Sequence, residues 1–436
     1  MKKIILTIVI LILSISAAKA ELYVDITKGR SDPLPIALTE FYAITPFEQE
    51  MGEKVFEVVY DDLERCGLFK LINKRAFLQS PGEMQTKKPR FSDWRLINAS
   101  GLVSGAVTSS KTDGAVKVSF RLWDVLSEEQ MIGMSYKTSN ENWRRISHII
   151  ADKIYEKLTG EEGYFDTRIV YVSEDGSFKK RIKRLAIMDA DGANHRYLTD
   201  GRNLVLTPRF NPQTSDVVYM AYIGKTPRVY VQNIDSGKVK VLGDFPGMTF
   251  SPRFSPDGKS VVMSFESKGN SEIYIVDIKS GKKKRLTYDL SIDTSPCFSP
   301  DGKKIVFESD RGGSQQLYIM DLNGKNVKRL TYGKGLYGNP VWSPRGDLIA
   351  FTRMMGKKFY IGVIKPDGSG ERMIVNDYHV EGPSWSPNGR VVIFFKEKVV
   401  GKERQSSIHS IDLTGYNERE IKTPKGASDP TWSNNL

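Results

Sequence analysis

The stretch Pro252-Arg253-Phe254-Ser255-Pro256-Asp257-Gly258 opens with a phrase, Pro–x–(Phe/Trp)–(Ser/Asn), that the chain uses six times. The other copies begin at Pro208, Pro296, Pro340, Pro383 and Pro430, so successive prolines stand 44, 44, 44, 43 and 47 residues apart. A period near forty, carried by aromatic residues and tight turns, is the signature of propeller blades. A ring of such blades is a rigid platform, and its fold alone names no chemistry.

Each copy contains four short runs with strand character. In the copy just quoted they cover 251–255, 260–265, 272–277 and 284–287. Ser255-Pro256-Asp257-Gly258 between the first two suits a type I turn, with serine at the first corner, proline at the second and glycine at the fourth. Ser299-Pro300-Asp301-Gly302, Ser343-Pro344-Arg345-Gly346 and Ser386-Pro387-Asn388-Gly389 repeat it. Asp277-Ile278-Lys279-Ser280-Gly281, Asp321-Leu322-Asn323-Gly324 and Asp412-Leu413-Thr414-Gly415 mark a second regular hairpin. Four-stranded units repeated radially make a β-propeller, and a sandwich would not keep this period. Five full repeats begin near 205, 249, 293, 337 and 380. Runs at 168–172, 184–189 and 196–199 precede them and lack only the first strand, while Pro430-Thr431-Trp432-Ser433 is a first strand with nothing after it. The expectation is a six-bladed ring over 161–436, closed by residues 429–436.

The chain before the ring has a different texture. Lys2 and Lys3, an apolar run over 4–15 and Ala18-Lys19-Ala20 read as an export signal with cleavage after Ala20. Twelve apolar residues are too few to span a bilayer. Residues 21–160 alternate strand and helix patterns. An extended start at Leu22-Tyr23-Val24-Asp25-Ile26 leads to a buried strand over Leu34–Tyr42. Thr45-Pro46-Phe47-Glu48 is a capping box with proline at the first helical position. Met51, Val55, Val58, Val59, Leu63 and Cys66 then follow at helical spacing, and Gly67 stops the helix. A short helix is expected near 94–99, strands near 102–108, Val116–Asp124 and 131–137, and a last helix from Trp143 to Gly160. The fold class is therefore two-domain: a small α/β domain followed by an all-β six-bladed propeller.

The formal charge is +12, and loss of Lys2, Lys3 and Lys19 with the leader leaves +9. Its basic runs, such as Lys282-Lys283-Lys284-Arg285, are short and fall at hairpins or outer strands, where lysine guards an exposed edge. With export, this speaks against a nucleic-acid partner and for acidic ones. Cys66 and Cys297, the only cysteines, read as buried free thiols. The chain has no G-x-S-x-G elbow, P-loop, dinucleotide fingerprint or H-E-x-x-H. His148, His195, His379 and His409 share no metal-ligand spacing, and Asp257 and Asp301 belong to turns. No enzyme, metal or cofactor is expected. The competing reading is a periplasmic propeller enzyme, such as a metal-dependent oligosaccharide lyase, which would need a ligand cluster on the axis.

The whole mature chain resembles the TolB family of the Tol–Pal envelope system. The resemblance rests on the export signal, the α/β domain, the junction Lys157-Leu158-Thr159-Gly160…Tyr164-Phe165-Asp166-Thr167-Arg168-Ile169-Val170-Tyr171-Val172, the six blades and the terminal Trp432-Ser433-Asn434-Asn435-Leu436. It implies a monomeric periplasmic adaptor that supports outer-membrane integrity and cell division. The mature N-terminal segment, here Glu21, Leu22, Tyr23, Val24, Asp25 and Ile26, would contact TolA of the inner-membrane Tol complex or fold back on the protein. As a plain edge strand it would look the same. The lipoprotein Pal would dock over the channel, on loops leading from each outer strand to the next inner one. Matching positions are Met248, Thr249 and Ser251, then Asp293 and Thr294, Tyr337 and Gly338, His379 and Glu381, and Ser428.

Overall fold

The computed structural model describes residues 22–24, 32–110, 114–177, 180–224, 226–243, 249–401 and 403–436. The export signal expected over residues 1–20, with Glu21, Asp25, Ile26 and Met248, lies outside them. The chain forms two compact units that divide between Glu162 and Gly163.

The first unit is a five-stranded sheet. Its strands are β1 (Leu34–Tyr42), β2 (Phe69–Leu71), β3 (Gly101–Ser109), β4 (Val116–Asp124) and β5 (Glu129–Thr138), in the spatial order β2-β1-β3-β4-β5. β1 runs parallel to both β2 and β3, and the remaining pairs are antiparallel. Helix α1 (Pro46–Arg65) packs on β1 and β3, and also on the helix over Trp143–Thr159. Val55, Val59, Leu63, Ile150, Ile154 and Leu158 supply the buried apolar stripes. Such stripes, rather than helix propensity, hold amphipathic helices in place. The capping box is formed in full. The Glu48 carboxylate accepts the Thr45 N–H at 3.0 Å, and Thr45 Oγ1 accepts the Glu48 N–H at 3.3 Å. Glu48 also takes the N–H and hydroxyl of Ser109 at 2.6 and 2.8 Å, tying the helix start to the end of β3.

The short helix expected near 94–99 instead spans Phe91–Leu96. Asn98 adopts a left-handed φ of 58°, which ends the turn early, and Asp93 pairs with Arg90 at its start. Trp94, where the expected helix begins, is the buried anchor within the helix rather than its first residue. The three-residue strand β2 was missed because it is too short to show alternation. The extended start is not a strand over Leu22–Val24 either. Val24 is buried and its N–H donates to the Leu158 carbonyl at 2.8 Å.

The second unit is six four-stranded antiparallel sheets. Blade 1 joins Gly426–Trp432 from the C-terminus to Arg168–Asp175, Ile182–Asp189 and Arg196–Tyr197. Blade 2 starts with Leu204–Phe210, blade 3 with Thr249–Phe254, blade 4 with Asp293–Phe298, blade 5 with Leu336–Trp342 and blade 6 with His379–Trp385. Each of these first strands touches its counterparts in the two neighbouring blades, so together they surround the axis. The Ser-Pro-Asp-Gly turns close as the spacing predicts: Gly258 N–H donates to the Ser255 carbonyl at 2.9 Å, and Gly258 takes φ 69°. Cys66 and Cys297 are buried and form no disulfide.

Candidate functional site: the upper propeller face

All six inner strands break in the same place. Their ladder register shifts around the repeated proline, and the residue before it is left-handed each time: Thr207, Ser251, Ser295, Asn339, Gly382 and Asp429, with φ between 48° and 66°. A bulge of this kind bends a strand and re-aims its side chains. Repeated around a ring, it turns polar side chains toward the axis, just below the loops that enter each blade. We call the end with those loops the upper face.

Glu308, on the second strand of blade 4, gathers several of these polar groups. Its carboxylate accepts the Thr294 hydroxyl, the Ser295 hydroxyl at 3.0 Å and the Asn339 N–H at 3.0 Å. Asn339 Nδ2 donates to Glu381 at 2.7 Å, and Glu381 meets His379 Nε2 at 3.3 Å. The result is a polar relay across blades 4, 5 and 6. Gly338 makes room for it, because a Cβ there would collide with the Glu308 carboxylate. Burial pushes the Glu308 carboxyl above its ordinary value, and the donors from Thr294, Asn339 and Ser295 oppose that rise. Burial also raises Asp429, with Arg209 opposing. The hydrogen bond to Glu381 raises the His379 imidazole against the effect of burial, helped by Glu397 on its other side at 3.4 Å.

Thr294, Gly338, His379 and Glu381 therefore come together around two residues that sequence reading missed, Glu308 and Asn339. Asn339 had a usable signal in its place before Pro340. Glu308 had none, since it looks like any polar residue near the end of a strand. Other expected positions face inward. Asp293 is fully buried and pairs with Arg311 at 2.7 Å. Tyr337 is fully buried and donates to Glu371 at 2.8 Å. Ser428 is buried and donates to Glu174, which also holds Arg181 and Lys183. These three side chains make internal contacts and are not exposed on the face. Thr249 pairs with Phe265 at the start of its strand, and Ser251 is the bulge residue of blade 3.

Leu22 lies against Gly101, and Tyr23 lies beside Gly160, within the first unit. Tyr23 itself is 57% exposed. Among the described residues of the propeller, no three His, Cys, Asp or Glu side chains bring ligand atoms together as a metal would require. No helix among the described residues is long and apolar enough to cross a membrane.

Comparison with known proteins identifies both domains. Residues 155–436 match the TolB beta propeller domain and residues 22–131 the TolB amino-terminal domain. The Tol-Pal system protein TolB of Paramagnetospirillum magneticum is 57% identical over 431 residues, 98% of this chain and 96% of the relative. That of Pelagibacter ubique is 57% identical over 431 residues, 96% of each chain. The crystal structure of TolB from Acinetobacter baumannii superposes with a TM-score of 0.81 at 28% identity, covering 95% of this chain and 100% of that one. With both domains matched in order along one chain, the protein belongs to the TolB family.

Proposed function

We propose that the protein is a non-enzymatic periplasmic adaptor of the Tol–Pal system, binding Pal on the upper propeller face and TolA through its N-terminal segment. In that role it supports outer-membrane integrity and cell division. The observation that carries the reading is the Thr294–Glu308–Asn339–Glu381–His379 relay. It fixes polar groups of three blades in one arrangement at the mouth of the axis, and a preorganised surface loses little freedom when a partner docks. The N-terminal half of the proposal is supported by how lightly Leu22–Val24 is held: its backbone makes a single hydrogen bond among the described residues.

Capture on immobilised Pal tests the face. Thr294→Ile removes a donor from a buried carboxylate and adds bulk at the mouth, so it should weaken capture by about ten-fold or more. Deleting residues 22–26 should abolish TolA capture and leave Pal capture intact. A folded Thr294→Ile protein that binds Pal as tightly as the parent would overturn the assigned face.

A further inference from the structure

The other end of the axis, below the repeated prolines, is chemically the reverse of the first. There the inner strands open into a funnel of about 350 Å³. That volume is within the usual range for small-molecule sites. Its wall is the aromatic residue of each repeat: Phe210, Phe254, Phe298, Trp342, Trp385 and Trp432. The indoles are fixed, with Trp342 donating to the Gly346 carbonyl at 3.1 Å, Trp385 to the Val341 carbonyl at 3.0 Å and Trp432 to the Thr167 hydroxyl at 2.7 Å.

Two guanidiniums lie inside this collar. Arg209 and Arg253 hold the position after the repeated proline in neighbouring blades, where the other four blades carry Cys297, Val341, Ser384 and Thr431. Arg209 is buried, and its Nη1 donates only to the Pro208 carbonyl, at 2.6 Å. Arg253 is half-buried, and its Nε is fully enclosed without a hydrogen-bond partner. Neither forms an ion pair with a carboxylate among the described residues. The carboxylate of Asp429 acts on Arg209 only from a distance. Burial and the neighbouring Arg253 charge together lower Arg209 to about 9, and burial lowers Arg253 also. A buried guanidinium that feels a second, half-buried one is costly unless something of opposite sign completes it. Guanidiniums are also suited to planar, two-point contact with carboxylate or phosphate.

We infer that the lower funnel binds a small organic anion, its carboxylate or phosphate group seated on Arg209 and Arg253 and its apolar body against the aromatic collar. The site is separate from the upper face and needs no partner protein.

Isothermal titration of the full chain with benzoate, with inorganic phosphate and with neutral benzamide tests the inference. Saturable binding of at least one anion, none of benzamide, and a loss of roughly ten-fold or more in Arg253→Gln are expected. Tighter benzoate assigns an organic carboxylate, and tighter phosphate assigns a phosphate group. The inference is overturned if neither anion saturates, if benzamide binds as well as benzoate, or if the arginine variants bind like the parent. Should Arg209→Gln fail to fold, Arg253→Gln decides alone, because its side chain is the more exposed of the two.

Discussion

His379 stands between Glu381 and Glu397, with the rings of Phe359 and Phe395 at 4.6 and 5.4 Å. The carboxylates outweigh the burial, so the imidazole titrates above its ordinary 6.5. A histidine raised in the folded state contributes stability that is complete below pH 6.5 and is lost as pH rises through the folded value. NMR titration of the His379 ring should therefore give a midpoint above 6.5, and Glu381→Gln should bring it down. Glu48 shows the opposite sign. Backbone hydrogen bonds from Thr45 and Ser109 lower it from 4.5 to about 2. Its contribution is present above pH 4.5 and disappears as pH falls toward 2. Glu48→Gln should cost the first unit about 1 kcal/mol at neutral pH by denaturant melting. It should also flatten that acid-side slope. The capping box was legible from Thr45, Pro46 and Glu48, because its partners are three residues apart. The Ser109 contact was not, because 61 residues separate it from Glu48.

The bulge before each repeated proline is the element that shapes the upper face, and it defies local preference. A residue before proline favours extended backbone, and left-handed backbone costs a non-glycine residue roughly 1–2 kcal/mol. Only blade 6 meets it with glycine, Gly382. A Cβ at Gly382 would reach the Phe395 ring at 3.6 Å, an ordinary contact, so a substitution there reports the backbone alone. Gly382→Val should lower stability by about 1–2 kcal/mol in chemical denaturation. The reverse change at blade 2, Thr207→Gly, should cost nothing or stabilise, since Thr207 is branched and its hydroxyl has no partner. A destabilised Thr207→Gly would show that its methyl packing matters more than its backbone. The blades themselves were readable because turn, aromatic and proline recur together six times. The bulge was hidden because Thr, Ser, Ser, Asn, Gly and Asp at that place share no single preference.

At the scale of the molecule, the ring depends on its last strand. Trp432 pairs with Ile169 and Thr431 with Val170, while Arg168 and Ser433 exchange two further hydrogen bonds at 2.8 and 2.9 Å. Removing residues 429–436 would leave the Arg168–Tyr171 end of its strand as an open edge beside blade 6, keeping only the pairs of Gly426, Ala427 and Ser428, and would unseat the Trp432 ring from Tyr164. The melting temperature should fall by about 10 °C or more in differential scanning calorimetry, at roughly 2–4 °C per kcal/mol lost. A truncated chain melting with the parent would show that neighbouring-blade contacts alone hold the ring. Six blades and their closure could be counted from the sequence. The relay at the upper mouth could not, because its members come from three blades and meet only once the ring exists.

That same last strand fixes when the propeller can be finished. Ile169 waits for Trp432, a partner made 263 residues later, so five blades are complete before the first can be. Contacts so distant along the chain form late and slowly. Until the terminal residues arrive, the nascent protein carries an unpaired β-edge, the form most prone to joining another chain. A stop codon even eight residues early would therefore yield a product that remains in its most vulnerable intermediate.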